Sequence, residues 1–64
     1  MKTYQFLYHY LNDEAPVTIS LENGDILYAG KLATMPYKTI TNTTLVRVAG
    51  LGRENDLIII VRKN

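Results

Sequence analysis

Residues 57–61, Leu-Ile-Ile-Ile-Val, place a large apolar side chain at five successive positions. In a strand, neighbouring side chains point to opposite faces. Leu57, Ile59 and Val61 therefore belong to one face, and Ile58 and Ile60 to the other. A strand apolar on both faces has to be buried on both. Whatever sheet holds this strand either curls into a barrel or is covered on each side, and no other feature of the chain constrains the fold as tightly.

The clearest local element is a hairpin over 17–33. Val17, Ile19 and Leu21 alternate with Thr18 and Ser20, and Asn23-Gly24 then signals a two-residue type I′ turn. With Glu22 and Asp25 flanking that turn, Leu21 sits opposite Ile26, Ile19 opposite Tyr28, and Val17 opposite Gly30. Thr18, Ser20, Leu27 and Ala29 take the other face. Turn chemistry and apolar pattern specify this register independently.

Ahead of the hairpin, residues 3–12 read as an amphipathic helix. Tyr4, Leu7, Tyr8 and Leu11 recur at helical spacing, Thr3 is a candidate N-cap, and Asn12-Asp13 followed by Pro16 closes the element. The alternative is an N-terminal strand, since aromatics also favour sheets. Residues 34–43 are polar and read as a connection, with one helical turn starting near Pro36. Residues 44–62 read as a second hairpin. Val46 and Val48 extend the face of Leu57, Ile59 and Val61, while Leu45 lies on the other with Arg47; 50–55 form the loop.

These elements predict one α+β domain over 1–64, an N-terminal helix packed on a small antiparallel sheet of two β-hairpins. The alternative is a closed small β-barrel. A helix of about ten residues covers one sheet face, not two. In the open form a second copy is therefore expected to cover Ile58 and Ile60, giving a homodimer.

Size supports that expectation. A 64-residue chain buries only about 60% of its unfolded surface. Domains this small are usually reinforced by disulfides, metals or oligomerisation. The chain has no Cys and one His, so disulfides and thiolate metal sites are excluded, and neither metal nor cofactor is expected. Oligomerisation remains. No apolar run approaches the roughly 20 residues of a membrane span. Met1-Lys2-Thr3 leads straight into tyrosines, and with no Cys the expected location is cytoplasmic.

Charge is nearly balanced, 7 basic against 6 acidic residues, which gives no general attraction to nucleic acid. Its placement is uneven. From Lys31 to Arg53 every charge is positive, so Lys31, Lys38, Arg47 and Arg53, with Tyr37 among them, are the expected partner-binding residues on a side suited to an acidic protein. Five tyrosines near basic residues also fit single-stranded nucleic acid, the alternative partner.

Candidate chemistry is sparse. His9 has no nucleophile in a recognisable setting, since Ser20 lies mid-strand. Glu22 and Asp25 across the hairpin tip lack the further oxygens a cation needs. Gly50-Leu51-Gly52 is too short for a phosphate loop and precedes a strand. A non-enzymatic binding module is expected.

Two resemblances bear on this. Val17-x-Ile19-x-Leu21-x-Asn23-Gly24 with Gly30-x-Leu32 resembles the first motif of Sm-like RNA-binding proteins, which implies a helix followed by a bent Sm/SH3-like barrel. Here the interval from Gly24 to Gly30 is one residue too long for that motif, and Met35 to Lys38 stand where that family carries acidic and asparagine positions. Over nearly its whole length the chain resembles small uncharacterised proteins of phages and integrated mobile elements of Gram-positive bacteria. The shared features are Gly24-Asp25-Ile26-Leu27-Tyr28-Ala29-Gly30-Lys31-Leu32, Met35-Pro36, Val46-x-Val48 and Asp56-Leu57-Ile58-Ile59-Ile60-Val61. That likeness implies a compact helix-plus-four-strand accessory protein acting by protein–protein interaction, inhibition of a host system being one such role.

Overall fold

The computed structural model describes residues 2–52 and 55–64. Helix α1 spans Thr3–Tyr10, followed by strands β1, Pro16–Leu21, and β2, Ile26–Lys31. Two single-turn 3-10 helices, Leu32–Thr34 and Tyr37–Thr39, lead to β3, Thr43–Leu51, and β4, Leu57–Lys63. The sheet order is β2-β1-β4-β3. Each hairpin is antiparallel as expected, but the seam between them pairs β1 with β4 in parallel, so the four-stranded sheet is mixed. It is open rather than closed, with β2 and β3 as its edges.

The all-apolar strand β4 lies in the middle of the sheet. Val17, Ile19 and Leu21 pair with Leu57, Ile59 and Val61, while Thr18 and Ser20 pair with Ile58 and Ile60. Paired residues share a face, so the first group forms the core side. Because β2 and β3 run the same way, their connection must cross the sheet and return to its starting end. In doing so it contributes Leu32, Met35 and Ile40 to the core beside Leu7, Val17, Ile19, Ile59 and Val61. Residues 34–43 are therefore part of the covering layer, not a surface link.

Helix α1 packs on the same face, but not along the stripe of Tyr4, Leu7, Tyr8 and Leu11. Thr3 and Leu7 are buried and Phe6 and Leu11 pack against the core, while Tyr4 and Tyr8 are exposed. A buried tyrosine needs a partner for its hydroxyl, and turning outward leaves both hydroxyls in water. Thr3 is not the N-cap. Lys2 occupies that position, its backbone N–H donating to Gln5 Oε1 at 3.1 Å. The Thr3 hydroxyl lies in the interior, where Thr43 Oγ1 is 2.7 Å from Thr3 Oγ1 and 2.7 Å from the Ile40 carbonyl oxygen. The helix stops two residues earlier than expected, with Leu11 in extended backbone.

In the first hairpin Ile19 faces Tyr28 and Val17 faces Gly30, as the sequence pattern requires. The tip differs. Leu21 N–H donates to the Asp25 carbonyl at 2.8 Å and Gly24 N–H to the Leu21 carbonyl at 3.0 Å. This is a three-residue loop, Glu22-Asn23-Gly24, in which only Gly24 takes positive φ, +100°. A bulge between Ile19 and Ser20 restores the register by setting Ser20 opposite Ile26. The extra residue moves Leu27 against the core and leaves Ile26 64% exposed, the reverse of the expected placement. Glu22 does not oppose Asp25 but pairs with Arg62, Oε1 lying 2.7 Å from Nε. Arg62 holds the Glu22 carboxyl below its ordinary pKa, and Glu22 raises that of Arg62. Any stabilisation from this exposed pair is present above the unfolded carboxylate pKa and fades as pH falls through the lowered folded value. Replacing Gly24 by Val should cost about 1–2 kcal/mol by forcing a β-branched residue to positive φ. A urea titration unchanged by this substitution would contradict the loop geometry.

In β3, register shifts fall between Leu45 and Arg47 and between Val48 and Gly50. They carry Leu45 to the core face, opposite Val61, rather than to the other side. Val48 lies level with Ile59, on the face expected for it, but both it and Val46 are exposed. Bulges of this kind also discourage edge-to-edge association at a long edge strand.

Candidate binding surface

With Thr3 and Leu7 turned inward, α1 presents Tyr4, Gln5, Tyr8, His9 and Tyr10 to solvent, and these residues line one broad depression of about 730 Å³. The Tyr10 ring lies 5.3 Å from Phe6 and 4.7 Å from His9, the latter edge-on at 83°. Tyr4 is shared with a second hollow of about 190 Å³, where it meets Tyr37 of the second 3-10 turn, with Lys2 and Asn42. Tyr4, Tyr8, Tyr10 and Tyr37, exposed by 38, 47, 62 and 57%, thus line two depressions that share Tyr4. The fifth tyrosine is used differently. Tyr28 donates its hydroxyl to the Lys31 carbonyl at 2.7 Å and lies 2.6 Å from Thr34 Oγ1.

A third hollow, about 420 Å³, adjoins the second through Thr41, Asn42, Thr43 and Asn64, and carries Lys38 and Lys63. It is held by the backbone bond from Asn64 N–H to the Asn42 carbonyl, 2.8 Å, and by Asn42 at φ +60°. Lys2, Lys38 and Lys63 therefore border the tyrosine surface.

The expected partner-binding residues do not share one side. Tyr37 and Lys38 join the surface just described. Lys31 ends β2 and pairs with Glu14, Nζ to Oε2 3.0 Å. Arg47 is in register with Ile60, on the opposite face of the sheet. Arg53 lies outside the described residues. Lys2 and Lys63 were not legible as members because they lie far from Lys38 in the chain; the Asn42–Asn64 bond brings one of them in. Tyr4 and Tyr8 were assigned to the core because they share helical spacing with Leu7, although Thr3, Phe6 and Leu7 fit the same period.

Ile58 and Ile60 face the side away from α1, half-buried and outside the core cluster. Among the described residues, no group of three or more His, Asp or Glu side chains is placed to hold a metal ion, and no helix is long and apolar enough to cross a membrane. No family model matches the chain, and neither a curated protein nor a solved structure matches it.

Proposed function

We propose that this chain is a non-catalytic binding module that docks a protein partner on the surface formed by Tyr4, Tyr8, Tyr10 and Tyr37. The observation that carries this reading is that two depressions sharing Tyr4 carry four exposed tyrosines from α1 and the second 3-10 turn. Tyrosine supplies a large, rigid contact area with few torsions to freeze and a hydroxyl that tolerates water before binding, which is why it is enriched at interface hot spots. Lys2, Lys38 and Lys63 at the border favour a partner with acidic residues around an apolar centre. The likeness to small mobile-element proteins makes a host protein the favoured partner, with inhibition of that protein as the effect.

A second reading is favoured by the same lysines. Exposed aromatics beside a basic hollow are how single-stranded nucleic acids are held, by stacking and phosphate contact. One experiment separates the two. Immobilised chain is exposed to host extract at low and high salt, beside variants Tyr8→Ala, Tyr10→Ala and Arg47→Ala. A protein partner held at both salt concentrations, with either tyrosine variant weakening it roughly tenfold or more and Arg47→Ala leaving it unchanged, is expected. Retention of oligonucleotide that collapses as salt rises would replace this reading with the second.

A further inference from the structure

The sheet face turned away from α1 carries Ile26, Ile58 and Ile60, none of which belongs to the core cluster. Its central strand β4 is apolar on both faces, and a strand of that composition is buried on both. Among the described residues only one face of β4 belongs to the core. We propose that a second copy covers the other, the two sheets packing face to face about a two-fold axis with their strands antiparallel.

The choice of occupant and of direction follows from what lies along the face. Its strand-start end carries Asp56, which accepts a hydrogen bond from the Thr18 hydroxyl. Its strand-finish end carries Arg62, paired with Glu22, and Arg47 level with Ile60. Turning one copy end for end lays the end that carries Arg47 and the Arg62–Glu22 pair, positive by one charge, over the Asp56 end of the other. A half-turn at the level of Ile59 also sets Ile60 over Ile58 of the second copy, Ile26 over Ala29, and Arg47 over Gly50. Each long side chain then meets a short one or another isoleucine. Stacking with strands parallel would instead set like ends together and Ile60 over Ser20. A standard interface takes about 800 Å² from each partner, under a fifth of the 4308 Å² this chain exposes. One face of a four-stranded sheet supplies area of that order. The dimer would present its two tyrosine surfaces outward, a bivalent arrangement. The inference rests on the open sheet face and not on the tyrosine reading, so either fails without the other.

Sedimentation equilibrium from low to high micromolar concentration tests it. Wild type is expected at twice the 7.3 kDa chain mass. Ile60→Lys should give a monomer. Ile26→Lys, which removes nothing from the core, should keep the native circular dichroism and raise the dissociation constant roughly tenfold or more. Because the chain lacks Cys, single-cysteine variants give the direction. A short bis-maleimide should link Ile26→Cys to Ala29→Cys in a mixture faster than it links either to itself. A wild-type monomer at high micromolar concentration, or a dimer indifferent to Ile26→Lys, would overturn the interface. Faster linking of like variants would overturn its antiparallel direction.

Discussion

Ile59→Ala is expected to leave the domain at or beyond the margin of folding. Ile59 has no exposed surface and sits in the middle of β4, between Ile19 on β1 and Val48 on β3. Truncation removes three methyl or methylene groups and opens a cavity that a sheet held on both sides cannot close. The cost for such a site is about 2–5 kcal/mol. A domain this small has only a few kcal/mol in hand, on the order of 5. Ile60→Ala, one residue on, is the control. It lies on the other face and outside the core, and in the isolated chain it should cost about 1 kcal/mol. Urea titrations of the two variants below any association concentration check this. Equal losses would contradict the division of β4 into a core face and an open face.

The second large effect is expected in the connection. Ile40 is 1% exposed and belongs to the core cluster with Leu32 and Met35. Ile40→Ala should cost about 2–4 kcal/mol. Tyr37→Ala, three residues earlier and on the surface, should stay within about 0.5 kcal/mol. If residues 34–43 were only a link, both substitutions would be close to neutral. The contrast therefore measures whether the crossing segment is structural, while Tyr37→Ala separately reports on partner binding.

These expectations show where short-range pattern was sufficient. The pairing of Ile19 with Tyr28 and of Val17 with Gly30 follows from strict alternation, which a one-residue slip would invert. The tip did not follow. Asn23-Gly24 suits both a two-residue turn and the last two places of a three-residue loop, and the dipeptide alone does not separate them. The loop chosen changes the faces of Ile26 and Leu27, two residues of nearly equal hydrophobicity, so composition gave no warning.

The binding surface was legible only in fragments. Tyr37 and Lys38 stood out because they interrupt a polar segment. Tyr4 and Tyr8 did not, because helical spacing identifies a stripe but not its rotation about the axis by a quarter turn. The rotation is set by contacts from 40 residues away in sequence, where Thr43 meets Thr3. Lys2 and Lys63 join for a similar reason, through backbone pairing near the two termini of the chain.

What the sequence determined by itself was the inventory: one helix, two hairpins, a β4 that is apolar on both faces, and no Cys for disulfides or thiolate metal sites. Each depends on local spacing or composition, which a chain carries whatever its neighbours do. Only the tertiary structure decided that the hairpins join in parallel through β1 and β4, that the connection crosses the sheet as part of the core, and that four tyrosines are left outside together. Those depend on which elements meet across long sequence separations, and no local pattern encodes that choice, because several pairings would bury the same apolar residues equally well.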